Sequence, residues 1–243
     1  MEESKKEKIF RNVVSNCVIF ALVAVIAIAC FIGSINTKTS LASNSEYRGT
    51  VYAGDKNSRN ISLMVNVYWG NEYLEKMLEI FKKHDIKTTF FVGGSWALKN
   101  QELLKKMSLD GHEIASHGYS HKEHGKIDYN ENIIEIQKCH NVVKDVLGLD
   151  MEFFTPPGGS YNESTIKAAT ELGYKTIMWT RDTIDWRDKD VNLIYNRAIT
   201  NMTGGDLILM HPTECTAVAL EKVIDYAKGC GFKLTTVSET LGL

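Results

Sequence analysis

Beyond residue 60 the apolar positions of this chain change period again and again. ISLMVNVYW (61–69) is a strand-like apolar run, EYLEKMLEIFKKH (72–84) has the i, i+3, i+4 spacing of an amphipathic helix, and KTTFFVGG (87–94) is a second short run closed by glycines. The same alternation predicts helices over 99–110, 130–147, 162–172, 190–203 and 216–229, and strands at HEIASH, EFFTPP, KTIMWT, DLILMHP and KLTTVS. Repeated strand and helix units with short connections imply a mainly parallel sheet covered by helices, either a barrel or an open doubly wound sheet.

The amino-terminal segment follows a different rule. Residues 13–35, VVSNCVIFALVAVIAIACFIGSI, carry no charge, and at about 1.5 Å per residue such a helix crosses a hydrocarbon core of about 30 Å. A cleaved signal peptide is the alternative, although its apolar part normally runs only ~7–15 residues. AIAC, ending at Cys30, is a faint lipidation signal within a run that continues through Phe31 and Ile32. Lys5, Lys6, Lys8 and Arg11 precede the run and only Lys38 follows it closely, so the positive-inside rule keeps 1–12 in the cytoplasm and exports the rest. The expected layout is a cytoplasmic 1–12, a transmembrane signal-anchor at 13–35, a polar stalk at 36–57 and one extracytoplasmic domain at 58–243.

Composition narrows the partners. With 243 residues, 44% of them hydrophobic, and a formal net charge of −2, the chain is long enough for one sizeable core and too neutral to seek a polyanion. Lys and Arg are scattered beside Glu and Asp rather than massed with aromatics, which disfavours nucleic acid. Cys17 and Cys30 fall in the apolar run, leaving Cys139, Cys215 and Cys230, which allow at most one disulfide and read as small packed residues.

In either architecture functional side chains gather beyond the carboxyl ends of the strands. Asn66 and Tyr68 stand at such an end, as do His117 and His121 after HEIAS, Pro156 and Pro157 after EFFT, Asp182 and Asp185 after TIMWT, and His211 after DLILM. Of seven histidines, three (His117, His121 and His124) fall within EIASHGYSHKEHG (113–125). His117 and His121 are four apart in a loop-to-helix context, where one helical turn puts both imidazoles on one face, able to share a divalent cation. His112 and His124 are less well placed. For an isolated H-x-x-x-H, chance clustering near a helix start is the commoner explanation.

The ordered set around that pair gives it weight. TTFFVGG (88–94), GHEIASHGYSH (111–121), TPPGGSYN (155–162), ELGYKTIMWTRDTIDW (171–186) and GDLILMHP (205–212) resemble, in order and spacing, the motifs of the polysaccharide deacetylase (NodB-homology) family. YWG at 68–70 is similar to the end of the first motif in its sporulation-type branch, and the likeness covers most of residues 60–243. The resemblance implies a distorted (β/α) barrel with fewer than eight strands, and removal of acetyl groups from N-acetylglucosamine or N-acetylmuramic acid in peptidoglycan, chitin or related polymers. It also implies a divalent metal, zinc before cobalt or manganese, held by an Asp and two histidines to polarise the acetamide carbonyl. A second Asp takes the proton from the attacking water, and a late His protonates the leaving amine. Matched residue by residue, His117 and His121 take the metal places, His211 the general-acid place, and Asp185 the place of the acid that orients it, with Asp182 a second candidate. Tyr68, Trp69, Pro156, Pro157, Gly158 and Trp186 are the candidate groove residues, Trp186 beside Asp185 the better placed of the two tryptophans to stack on a sugar ring, while Trp179 reads as a core anchor.

The first motif departs from the family. Where Thr-Phe-Asp is expected the chain has MVNVYWG (64–70), so Asn66 occupies the base position and a neutral amide cannot take up the proton. Tyr68 is a poor third metal ligand, Asn66 could offer a carbonyl oxygen, and Glu72 lies a turn further on. TPP replaces the family's Arg-Pro-Pro, placing Thr155 where an arginine normally tunes that base. Loss of both members of a charge pair is coherent, because either left alone is a buried unpaired charge. Two functions follow: a deacetylase in which Glu72 or a metal-bound hydroxide replaces the base, or a catalytically impaired glycan-binding or scaffolding protein that keeps the groove.

Overall fold

The strand β2 (Asn60–Val67) is buried along all but its first residue, which requires cover on both faces and places it in the middle of a sheet. The structure is a computed structural model and describes residues 49–243; the apolar run at 13–35 and most of the expected stalk lie outside the described residues. Among the described residues no helix is long and apolar enough to cross a membrane.

The flanking strands are β3 (Thr89–Val92), β4 (Glu113–Ser116), β5 (Phe153–Phe154), β6 (Lys175–Ile177), β7 (Arg181–Asp182) and β8 (Leu207–Met210), with β1 (Thr50–Val51) before β2 and β9 (Lys233–Leu234) near the carboxyl terminus. They form one curled sheet in the order β1-β6-β5-β4-β3-β2-β8-β7, with β9 pairing on β2. Every pairing is parallel, as the repeated strand and helix alternation implies. The curl brings β6 back towards β8, where Thr180, just past β6, donates its backbone N–H to Leu207 O at 2.9 Å.

The period of two along the strands divides the core into two layers. Leu63, Val65 and Val67 of β2, Phe90 and Val92 of β3, and Ile208 and Met210 of β8 face outward to the helices. Met64, Phe91, Ala115, Phe153, Ile177 and Leu207 face inward and form a second, smaller core. The helices are α1 (Asn71–Lys83), α2 (Gly94–Lys99), α3 (Gln101–Leu109), α4 (Tyr129–Leu147), α5 (Glu163–Glu171), α6 (Val191–Ile199), α7 (Glu214–Gly229) and α8 (Val237–Leu241). α1 buries Leu74, Met77, Leu78 and Phe81, the i, i+3, i+4, i+7 stripe that predicted it. α8 plugs the amino ends of the strands: Val237 joins the inner core, and its N–H donates to Thr89 Oγ1 and Glu113 Oε2.

Four expectations change. The sheet contains nine strands among the described residues rather than fewer than eight, because β1 and β7 are two-residue pairings with no periodicity to signal them. β1 and the loop after it lie within the expected stalk, yet β1 pairs with β6 and Gly54 N donates to Gly205 O. The helix expected over 99–110 forms at Gln101–Leu109, but a second short helix, Gly94–Lys99, precedes it, the two separated at Asn100, whose side-chain amide donates to Trp96 O and accepts from Asn71. KLTTVS is a strand only at Lys233–Leu234; Thr236 and Glu239 then form a capping box that starts α8.

Candidate functional site

Two residues past the inner core, each strand delivers a side chain to the same rim. Met64 is followed by Asn66, Ala115 by His117, Phe153 by Thr155, Ile177 by Trp179, and Leu207 by Leu209 and His211. Successive side chains alternate faces, so the parity that buries the inner core also points these residues inward at the carboxyl ends.

The acid side is fully assembled. Asp182 on β7 accepts from Ile184 N at 2.8 Å, and Ile184 takes a left-handed φ of 53°, rare for a β-branched residue. That turn delivers Asp185 to a buried position, where Oδ1 accepts from His211 Nδ1–H at 2.8 Å and Oδ2 accepts from His211 N at 2.7 Å and from Thr216 Oγ1 at 2.6 Å. A carboxylate on Nδ1 fixes the tautomer and leaves Nε2 facing the groove. The orienting acid is therefore Asp185, and Asp182 shapes the turn that carries it. Trp69 lies parallel to the His211 ring at 5°, with centroids 6.2 Å apart.

His117 and His121 meet through a loop, not through a helical turn. Gly118 and His121 both have positive φ, 70° and 60°, so the chain folds back and sets the two rings 5.2 Å apart and 69° to each other. Glu135 of α4 holds the loop, accepting from Tyr119 N at 3.1 Å, from Ser120 N at 2.7 Å and from Ser120 Oγ at 3.0 Å. Nothing in the local sequence signals this brace, which lies 15 residues from Ser120. His117 donates Nδ1–H to Thr155 O at 2.8 Å, again leaving Nε2 free. Burial pushes the His117 imidazole well below its ordinary value, helped by the neighbouring His121; burial likewise lowers His121, helped by His211. Both rings are neutral at neutral pH. His124 is a structural anchor: its Nδ1 donates to Asn132 Oδ1 at 2.6 Å, and its Nε2 is buried without a partner. His112 is packed edge-on to Phe81 and Phe90.

Among the described residues, the base position is held by an amide rather than a carboxylate. Asn66 is 4% exposed, and its Oδ1 is buried with no hydrogen-bond partner. Thr155 is fully buried, its hydroxyl donating to Ile177 O and its carbonyl accepting from His117. Glu72 is exposed on the first turn of α1. Tyr68 packs on Gly93, where a Cβ would lie 2.2 Å from its ring, and its hydroxyl accepts from Ser95 Oγ at 2.8 Å. The metal implied by the family needs at least three protein ligands. Among the described residues no group of three His, Cys, Asp or Glu is placed to hold one. The donor set is two neutral imidazoles and one orphaned amide oxygen, and it does not fit the cation.

The residues expected to line the groove differ in burial. Pro157 is buried, and Gly158 and Gly159 turn at φ of 60° and 65°, with a Cβ on Gly159 meeting the Trp179 ring at 2.8 Å. Trp69 and Trp186 are 45% and 56% exposed at the rim, while Trp179 is half-buried against the inner core, as expected for an anchor. Gly70 has φ of 82° and sits so close to the following loop that a Cβ would lie 2.1 Å from Pro212 O. Cys139 is buried, with its thiol pushed up to about 11 by burial, and none of the described cysteines forms a disulfide.

Comparison with known proteins points to one family. The polysaccharide deacetylase family model matches residues 53–177. Uncharacterized protein YlxY of Bacillus subtilis (strain 168) is 39% identical over 191 residues, covering 79% of this chain and 60% of that protein. This chain therefore spans less than two thirds of that relative. A peptidoglycan-N-acetylglucosamine deacetylase of Bacillus cereus is 30% identical over 191 residues, covering 76% of this chain and 70% of the relative. The crystal structure of a wild-type CE4 family pseudoenzyme from Bacillus anthracis superposes with a TM-score of 0.78 at 34% identity, covering 80% of this chain and 69% of its own. A mutant of that pseudoenzyme, with restored enzymatic activity, superposes equally well at 33% identity, covering 80% and 72%. Motif order, inward parity and sequence identity converge: the chain belongs to the polysaccharide deacetylase family.

Proposed function

We propose that this chain binds N-acetylated cell-wall glycan, of the peptidoglycan type, in the groove above Asn66, His117 and His211 without hydrolysing it. One observation carries the reading. The residue at the base position is a buried amide with an unpartnered oxygen, and among the described residues the only carboxylate paired with a site histidine is Asp185, whose oxygens already accept three hydrogen bonds. Proton abstraction from water by a positioned base contributes about 10²–10⁴ in rate, and no group here supplies it. Exposed Trp69 and Trp186 offer apolar faces on which sugar rings stack. Relatives named as peptidoglycan deacetylases support the ligand class, and the pseudoenzyme neighbour supports an inert site.

The proposal extends to location. The uncharged run at 13–35 and the Lys/Arg excess before it support a single-pass tether with the domain outside the cytoplasm, close to the wall polymer. Protease added to wall-stripped cells should remove the domain, and full protection would refute the tether.

Hydrolysis is the second reading, favoured by the intact His211 and Asp185 pair, which matches the leaving-group side of the reaction. One experiment separates the two: chitooligosaccharide and purified peptidoglycan are offered to the domain, with binding followed by calorimetry and acetate measured in the same samples. The binding reading expects saturable binding with no acetate. It also expects Trp69→Ala and Trp186→Ala each to weaken binding about tenfold, a difference of ~1.4 kcal/mol. Acetate release by the unmodified chain that is lost in His211→Ala would favour the hydrolase.

A further inference from the structure

We infer that Tyr68 occupies the place of a third metal ligand and keeps divalent cations out of the His117 and His121 pair. Tyr68 lies one step past the end of β2, where its ring packs against the helix-side core and still reaches the His121 end of the histidine pair. What it turns to His121 is its ring, with centroids 4.9 Å apart and a tilt of 41°. Its oxygen is committed to Ser95 on α2, whose Oγ donates to it at 2.8 Å. The ring cannot swing towards β3, because it lies directly on Gly93 at a distance no Cβ would permit. The ring is thus held between a glycine backbone and an imidazole.

The chemistry follows from that clamp. A cation between the two free imidazole nitrogens needs a third anionic or basic donor to offset its lost hydration. A phenol ligates well only after losing its proton, and this one is already a hydrogen-bond acceptor for Ser95. Asn66 adds only a neutral amide. The family metal place has become an uncharged pocket of two imidazoles, a phenol and an amide, and this holds whether or not a glycan is bound.

The test is gain of metal. Wild type, Tyr68→Asp, Tyr68→His and Tyr68→Phe are titrated with zinc, and zinc per chain is measured by mass spectrometry after gel filtration, with cobalt absorption as a second probe. Wild type and Tyr68→Phe should elute without stoichiometric zinc. Tyr68→Asp should carry about one zinc per chain, bound at least ~100-fold more tightly than by wild type, and lose it when His121→Ala is added. Tyr68→His provides a second route to the same gain should the aspartate variant fold poorly. Stoichiometric zinc in the wild type, lost in His117→Ala, would overturn the inference. So would zinc-free Tyr68→Asp and Tyr68→His proteins with native circular dichroism. Because metal content is read without any glycan, these outcomes are distinct from failure of the binding proposal.

Discussion

His211 and Asp185 are joined twice, through the imidazole Nδ1–H at 2.8 Å and through the backbone N–H of the same histidine at 2.7 Å. The second bond ties ring orientation to the backbone just past β8, and Thr216 at the start of α7 completes the carboxylate with a third bond. Asp185→Ala leaves three donors unpaired in a buried site, each worth about 1–3 kcal/mol. The variant should lose about 3 kcal/mol or more in urea unfolding at pH 7, whereas Thr216→Val should lose about 1 kcal/mol. A midpoint unchanged in Asp185→Ala would show that the network is not formed.

Rebuilding the base side should be unfavourable to stability before it is favourable to chemistry. Asn66→Asp places a carboxylate in a buried position with no cation, so its destabilisation should grow as the pH rises through the carboxylate range. Thr155→Arg in that background should recover part of the loss by pairing, seen as a favourable coupling in a double-mutant cycle. With zinc supplied to a Tyr68→Asp background, Asn66→Asp should raise acetate release by about 10²–10⁴, and His211→Ala should remove the gain. Equal acetate release with and without Asn66→Asp would mean that another group is the base.

Gly70 is required twice, by its left-handed φ and by the approach of Pro212. Gly70→Ala must relieve a Cβ contact of 2.1 Å with a backbone oxygen, so the loop after β8 or the start of α1 has to move. The expected loss is about 2 kcal/mol or more, read as a lowered thermal midpoint, together with weakened glycan binding because Trp69 and His211 flank the displaced segment. A fully stable Gly70→Ala would contradict the close approach.

Acid should weaken the fold through a histidine far from the groove. His112 is lowered to about 4 by burial, chiefly, and by nearby Lys87, while Thr88 N donates to its Nδ1. Between pH 6.5 and about 4 the unfolded chain binds a proton that the folded chain refuses. The contribution is fully present above pH 6.5, falls away as the pH drops towards about 4, and amounts to the order of 1–3 kcal/mol. His112→Gln should reduce the pH slope of unfolding free energy in that window by about one proton. An identical slope would place the titration elsewhere.

Local periodicity was enough to read the alternation of elements, their parallel arrangement and the strand ends that carry Asn66, His117, Asp185 and His211. Burial stamps itself on a chain as a repeat of two or 3.6 residues, and that repeat is visible without knowing any neighbour. The absent base was equally visible, since a carboxylate missing from the first motif cannot be restored by folding. Contacts between distant residues were not legible. A helical turn looked sufficient to join His117 to His121, but the pair is made by positive φ at Gly118 and His121 and braced by Glu135 from α4. Asp182 stood as a second candidate beside Asp185, and it is the Ile184 turn that buries Asp185 beside Thr216, 31 positions further along the chain. Tyr68 read as a poor ligand, and only its seat between Gly93 and His121 showed what it does there. Hydrogen-bond partners and ring contacts depend on where separate segments of the chain meet, and that meeting is set by packing of the whole sheet rather than by spacing along any one strand.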